Sequence, residues 1–139
     1  MKKEVSVCIK GLHSNSDDAA DMGIQVNGTY HLKDGKHYIR YAENAADEAE
    51  QSSSILKIMS NEVELIKKGY GATHLHFEPG KLNHTYYKTI MGNLFIGVDT
   101  SFLTVQESED KISVRIEYAL VMDGMKASDC VVEIEIASL

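Results

Sequence analysis

The chain has 139 residues, with 14 Lys and Arg against 21 Asp and Glu, a formal net charge of −7, and 43% hydrophobic residues. That length suits one domain spanning residues 1–139 with a self-sufficient core, and the composition is ordinary globular, which excludes disordered and fibrous classes. Clustered cations for nucleic-acid phosphates are missing, since Lys2-Lys3 and Lys67-Lys68 are the only adjacent basic pairs.

The acidic balance also disfavours an anionic membrane surface. The longest apolar runs, such as Leu94-Phe95-Ile96-Gly97-Val98, fall far short of the roughly 20 residues of a bilayer-spanning helix. Met1-Lys2-Lys3-Glu4 leads directly into alternating residues, so no signal peptide is read and a cytoplasmic protein is expected. Cys8 and Cys130 lie at opposite ends of the chain without a CxxC or a metal-ligand spacing, and two reduced structural thiols are expected.

Along the chain the dominant pattern is period-two alternation broken by turn residues, the mark of half-buried antiparallel strands. Val5, Val7 and Ile9 alternate with Ser6, Cys8 and Lys10. Residues 24–32 follow, with Lys33-Asp34-Gly35-Lys36 as an Asp-Gly hairpin turn and His37–Tyr41 as the partner strand. Ser54–Met59 and Glu62–Lys68 flank a Ser60-Asn61 turn, and Thr73–Glu78 and Leu82–Thr89 flank Pro79-Gly80. Ile112, Val114, Ile116, Tyr118 and Leu120 share one face of a long strand. After Asp123-Gly124, the run Cys130, Val132, Ile134, Ile136 repeats the pattern.

About ten strands joined mostly by short turns make an up-and-down meander, because parallel units need crossovers of a dozen residues or more. An open meander of that length would leave two exposed edges, and closing the sheet removes them. The fold class is therefore all-β, an antiparallel meander closed into a barrel of about 8–10 strands. The single proline, Pro79, falls at a turn, where its missing N–H costs no ladder bond. Residues 13–22 and 43–53 are the two long connections, both polar and acidic, and neither carries an apolar stripe to bury.

The motifs Tyr38-Ile39-x-Tyr41-x-Glu43, Gly80-Lys81, Thr85-x-Tyr87-x-Thr89, Gly92-x-Leu94 and Tyr118-x-Leu120, in that order and spacing, carry a resemblance over nearly the whole chain. The chain resembles the YwiB-like proteins of Gram-positive bacteria, a domain family of unknown function with a calycin-like, lipocalin-like β-barrel. Ile90-Met91 stands where the family pattern usually has Pro-Tyr, so that turn is not read as a shared site. The resemblance implies a calycin-like barrel and brings no activity, cofactor or catalytic residue with it.

Three functional readings follow. The first is a cytoplasmic, non-enzymatic protein binding a small apolar or amphipathic ligand in the barrel. An eight-stranded barrel is just wide enough either to be filled by its own side chains or to enclose one small ligand. The matched Tyr41, Tyr87 and Tyr118 would supply apolar bodies with an orienting hydroxyl, or else pack as ordinary core and rim residues. The second reading is an interaction module using the acidic loops 13–22 and 43–53 to meet a basic partner; homo-oligomerisation is compatible with it. The third is a metal site from His74, His76 and His84. It requires a register in which Pro79-Gly80-Lys81 is the loop and His76 faces His84, because a two-residue loop turns His84 to the other face. Arg115 shares a face with Ser113 and Glu117 and reads as a solvent-facing ion pair. Neither a metal nor a cofactor is expected, and no nucleophile elbow, phosphate loop or dinucleotide motif is present in the sequence.

Overall fold

The computed structural model describes residues 2–11, 24–43, 52–69, 72–89 and 92–139. Residues 12–23 and 44–51 lie outside the described residues, and with them nearly all of the two acidic connections expected at 13–22 and 43–53. Ten strands follow in chain order: β1 (Glu4–Lys10), β2 (Ile24–Lys33), β3 (Lys36–Glu43), β4 (Ser52–Ile58) and β5 (Val63–Gly69), then β6 (Thr73–Phe77), β7 (Lys81–Thr89), β8 (Gly92–Glu107), β9 (Lys111–Met122) and β10 (Met125–Ser138). There is no helix among the described residues, and so none long and apolar enough to cross a membrane.

The strands form one antiparallel sheet in the order β6-β5-β4-β3-β2-β1-β10-β9-β8-β7. Every neighbouring pair except β1 and β10 is consecutive in the chain, as a meander requires. The first and last strands close the sheet on themselves, with Val5 opposite Ser138 and Ile9 opposite Ile134. Two of the turns behave as their sequence dictates. Asp34-Gly35 and Asp123-Gly124 both hold positive φ at each residue (52° and 76°, 54° and 77°), the type I′ geometry whose twist matches that of the flanking strands.

Pro79-Gly80 behaves differently, and the barrel is nearly rather than fully closed because of it. Lys81 N–H donates to Glu78 C=O at 3.1 Å, with Gly80 at φ +79°. Proline fixes a negative φ at the first turn position, which excludes type I′ and leaves a type II turn that splays its strands. Gly80 N–H bonds instead to Thr100 C=O on β8 at 2.8 Å. Consecutive β6 and β7 therefore lie side by side without a ladder. Two side chains bridge this seam: Thr73 Oγ1 donates to Tyr86 C=O and Asn83 Nδ2 to His76 C=O, each at 3.1 Å.

The inward faces meet in one apolar cluster that includes Val7, Ile39, Leu56, Leu65, Ile116 and Ile136. Complete burial of such side chains contributes roughly 1.5–3 kcal/mol each. The register stacks them in levels, as in Ile39, Leu56, Leu65 and Leu75 running directly across β3 to β6. The 16-residue β8 bends around the barrel at a bulge at Ser101, whose Oγ donates to Glu117 C=O at 3.1 Å.

Candidate functional site

One level of the inner face departs from the aliphatic pattern. Gly28, Tyr41, Ser54, Lys67 and Thr73 lie directly opposite one another in succession across β2 to β6. Tyr41 is 4% exposed, Ser54 2%, and Lys67 and Thr73 7% each. Alternation along β5 explains the lysine, since Val63, Leu65 and Lys67 share the inward face. Gly28 lets β3 come close: a Cβ there would stand 2.5 Å from Arg40 O and 3.3 Å from Tyr41 Cβ. Ser54 Oγ is buried with no hydrogen-bond partner among the described residues. Such a group costs about 1–3 kcal/mol of desolvation, so the hydroxyl is a vacant donor and acceptor.

Ser54 lines a cleft of about 260 Å³ that also takes in Arg40, Tyr41, Ser53, Ile55 and Lys68. Arg40, Ser53, Ile55 and Lys68 face it from the outer side of the sheet, while alternation turns the Tyr41 and Ser54 side chains inward, and no acid is among its described lining residues. A second cleft of about 450 Å³ opens on the outer face of β2 and β3, lined by Lys3, Tyr30, His31, Lys33, Tyr38 and again Arg40. Lys57 sits over the Tyr38 ring, its Nζ 5.7 Å from the centroid.

The three tyrosines expected to meet a ligand are spread through the core. Tyr41 belongs to the polar level and lines the smaller cleft. Tyr118 is buried edge-on against Phe77, with centroids 5.1 Å apart, and burial with Cys130 beside it pushes its phenol far above the usual range. Tyr87 is partly buried and packs on the cluster from β7. Tyr30 Oη and His37 Nδ1 are 2.6 Å apart, and His37 Nε2 is hydrogen-bonded to Glu107 on β8. Burial, with the Glu107 charge added, raises the Tyr30 phenol.

The turn at Pro79-Gly80 decides the register on which the three-histidine reading depends. The two-residue turn at Pro79-Gly80 and the missing β6–β7 ladder remove the register that would face His76 on His84. His74 Nε2 pairs with Glu64 Oε2 at 2.7 Å, whereas His84 stacks on Phe95 with centroids 5.1 Å apart. His76 Nε2 lies 2.6 Å from Glu62 Oε2 and 3.1 Å from Glu78 Oε1. Those three are the only His, Cys, Asp or Glu group at metal-ligand spacing among the described residues. Lys81 Nζ already holds the other Glu78 oxygen at 3.0 Å, and its hydrogen bond leads the causes that depress the Glu78 carboxyl. Burial raises the Glu64 carboxyl, but the His74 hydrogen bond and nearby His76 and Lys57 charges outweigh it and leave it lowered.

Two other readings come out as the sequence implies. Arg115 pairs with Glu117 at 3.5 Å and Glu133 at 3.4 Å on the solvent face. Cys8 and Cys130 are both free thiols, Cys8 half-buried and Cys130 buried.

A family profile described as a domain of unknown function, DUF1934, matches residues 7–134. No curated protein matches this chain. Among solved structures, the crystal structure of the ywiB protein from Bacillus subtilis is similar at 22% identity, covering 100% of this chain and 95% of that one, with a TM-score of 0.79. At that identity the likeness establishes the shared fold.

Proposed function

We propose that this chain, which belongs to the DUF1934 family of unknown function, is a cytoplasmic, non-enzymatic binder of a small amphipathic ligand that presents an anionic group. The observation that carries this reading is the cleft on the outer face of β3 to β5, where Arg40, Ser53, Ile55 and Lys68 face outward together. An oxyanion there would accept hydrogen bonds from the Arg40 guanidinium, whose planar fork suits carboxylate and phosphate oxygens, and pair with Lys68. Ile55 supplies apolar surface for the rest of the ligand. The mid-barrel levels are filled by aliphatic side chains, which favours a ligand seated outside them.

Calorimetric titration with octyl phosphate and with inorganic phosphate tests this. Saturable binding of octyl phosphate, one per chain and weakened about tenfold or more in Lys68→Gln and in Arg40→Gln, is expected, a tenfold loss being about 1.4 kcal/mol. Absence of saturable heat with either probe, or equal affinity in both variants, overturns it.

A further inference from the structure

Glu62 and Glu78 flank the β5–β6 pair, one residue before β5 and one residue after β6. Val63 stands opposite Phe77 and Glu64 opposite His76, and the same register continued by one residue sets Glu62 opposite Glu78. Val63 and Phe77 are buried in the core, so alternation turns Glu62, His76 and Glu78 together to the outer face. Carboxylates directly opposite one another on neighbouring strands repel and weaken the pairing. A cation held between them reverses the sign of that interaction.

The cations already present leave this pair incompletely served. His74 Nε2 pairs with Glu64 at 2.7 Å, and Lys81 Nζ takes Glu78 Oε2 at 3.0 Å. Glu62 Oε2 and Glu78 Oε1 then converge on a single atom, His76 Nε2, at 2.6 and 3.1 Å. An imidazole Nε2–H is one donor and serves one of these oxygens well. Two carboxylate oxygens and an imidazole nitrogen, all within 4.8 Å of one another, are also the donor set of a divalent metal. Around a tetrahedral zinc ion with bonds of about 2.0–2.2 Å, ligand atoms stand about 3.4 Å apart. The two separations from His76 reach that value by opening less than about 1 Å, which side-chain rotation supplies. Supporting contacts hold the ligands in place: Lys81 fixes the second Glu78 oxygen, and Asn83 Nδ2 donates to His76 C=O at 3.1 Å.

We propose that Glu62, His76 and Glu78 form a binding site for one zinc-type divalent ion, with water completing its coordination. The ion binds the Nε2 lone pair of the neutral His76 imidazole. An imidazole beside two carboxylates suits zinc better than calcium or magnesium, which take oxygen ligands. All three side chains are half-buried, so solvent reaches the open position. The site lies at the opposite end of β5 from Lys68 and stands independently of the anion cleft. Its metal ties the β4–β5 turn, closed by Met59 N–H on Glu62 C=O at 3.0 Å, to the turn after β6. That strand has a ladder on one side only, and the metal braces it beside the seam.

Calorimetric titration of the untagged, chelator-treated full chain with zinc chloride tests this, with calcium chloride as the comparison. One zinc per chain is expected, bound at least tenfold more weakly in Glu62→Gln and in His76→Gln and equally well in His74→Gln and His84→Gln. Calcium should bind at least tenfold more weakly than zinc. Zinc should also slow hydrogen exchange at β6 amides in the wild type and not in Glu62→Gln. Circular dichroism keeps a folding defect from passing as lost binding, and Glu62→Gln, which alters only an outer-face side chain, decides if His76→Gln does not fold. The site is overturned if zinc shows no saturable binding, if binding survives Glu62→Gln, or if it is lost in His74→Gln or His84→Gln. Calcium binding as tightly as zinc also overturns it, since the imidazole would then play no part.

Discussion

Ser54 stands directly between Tyr41 and Lys67 across the β3–β4 and β4–β5 ladders, its hydroxyl buried without a hydrogen-bond partner among the described residues. This is one of two positions among the described residues, with Thr100 on β8, where a buried hydroxyl gives up stability without a hydrogen bond in return. Ser54→Ala should therefore leave stability unchanged or raise it by up to about 1 kcal/mol, because removing an unsatisfied buried group removes its desolvation cost. Urea unfolding measures this, and a loss above about 1 kcal/mol would mean that the hydroxyl already has a structural partner.

Gly28 makes that level geometrically accessible. Gly28→Ala places a Cβ 2.5 Å from the Arg40 carbonyl oxygen, a contact only backbone movement can relieve. Destabilisation of about 1–3 kcal/mol is expected, in the range of overpacking, with weaker anion binding because β3 carries Arg40 and Tyr41. A Gly28→Ala protein of wild-type stability would show that β2 and β3 are not held this close.

The seam between β6 and β7 depends on side chains where other strand pairs have ladders. Asn83→Ala and Thr73→Val should each cost about 0.5–1.5 kcal/mol, the net worth of one hydrogen bond. Hydrogen exchange should quicken at β6 and β7 amides before it does at β1 and β10, whose ladder closes the sheet. Equal exchange at both junctions would contradict the topology.

Acid should loosen the turn that follows β6. The Lys81 hydrogen bond to Glu78, and the His74 hydrogen bond acting against burial at Glu64, leave both carboxyls below their ordinary value of 4.5. A carboxylate whose pKa is depressed by folding stabilises the native state above its unfolded pKa, and that contribution is lost as pH falls through the folded one. Stability should thus decline below about pH 4.5, and a Glu64→Gln, Glu78→Gln protein should show a shallower decline in urea unfolding at stepped pH. Since both groups are largely solvated, the difference at pH 7 should be small. A slope identical to wild type would show that neither pairing persists in solution.

Alternation made most of the barrel legible from residues alone. Val5, Val7 and Ile9, and the run from Ile112 to Leu120, are inward where their period places them, and both Asp-Gly turns form hairpins. Two features escaped for physical reasons. β8 shifts its inward phase at the Ser101 bulge, so no single alternation spans its 16 residues and only the run Leu94–Val98 stood out. Pro79-Gly80 signals a turn, yet proline at the first position excludes the primed turns of a hairpin, and the ladder expected across it is replaced by the seam. The polar level was half legible. Lys67 continues the inward phase of Val63 and Leu65, but its alignment with Tyr41 and Ser54 depends on registers across three strands, which one-residue slips would erase. The outer cleft was invisible for the same reason, because Arg40 and Lys68 come to line one cleft only once the sheet forms.

The central claim is that an anion binds at the polar end of β3, β4 and β5, and amide chemical-shift mapping during titration with octyl phosphate tests it most directly. The account predicts saturable shifts concentrated at residues 40–41, 53–55 and 67–68, lost in Arg40→Gln. Shifts centred on β7 and β8, or none at saturating probe, would contradict it.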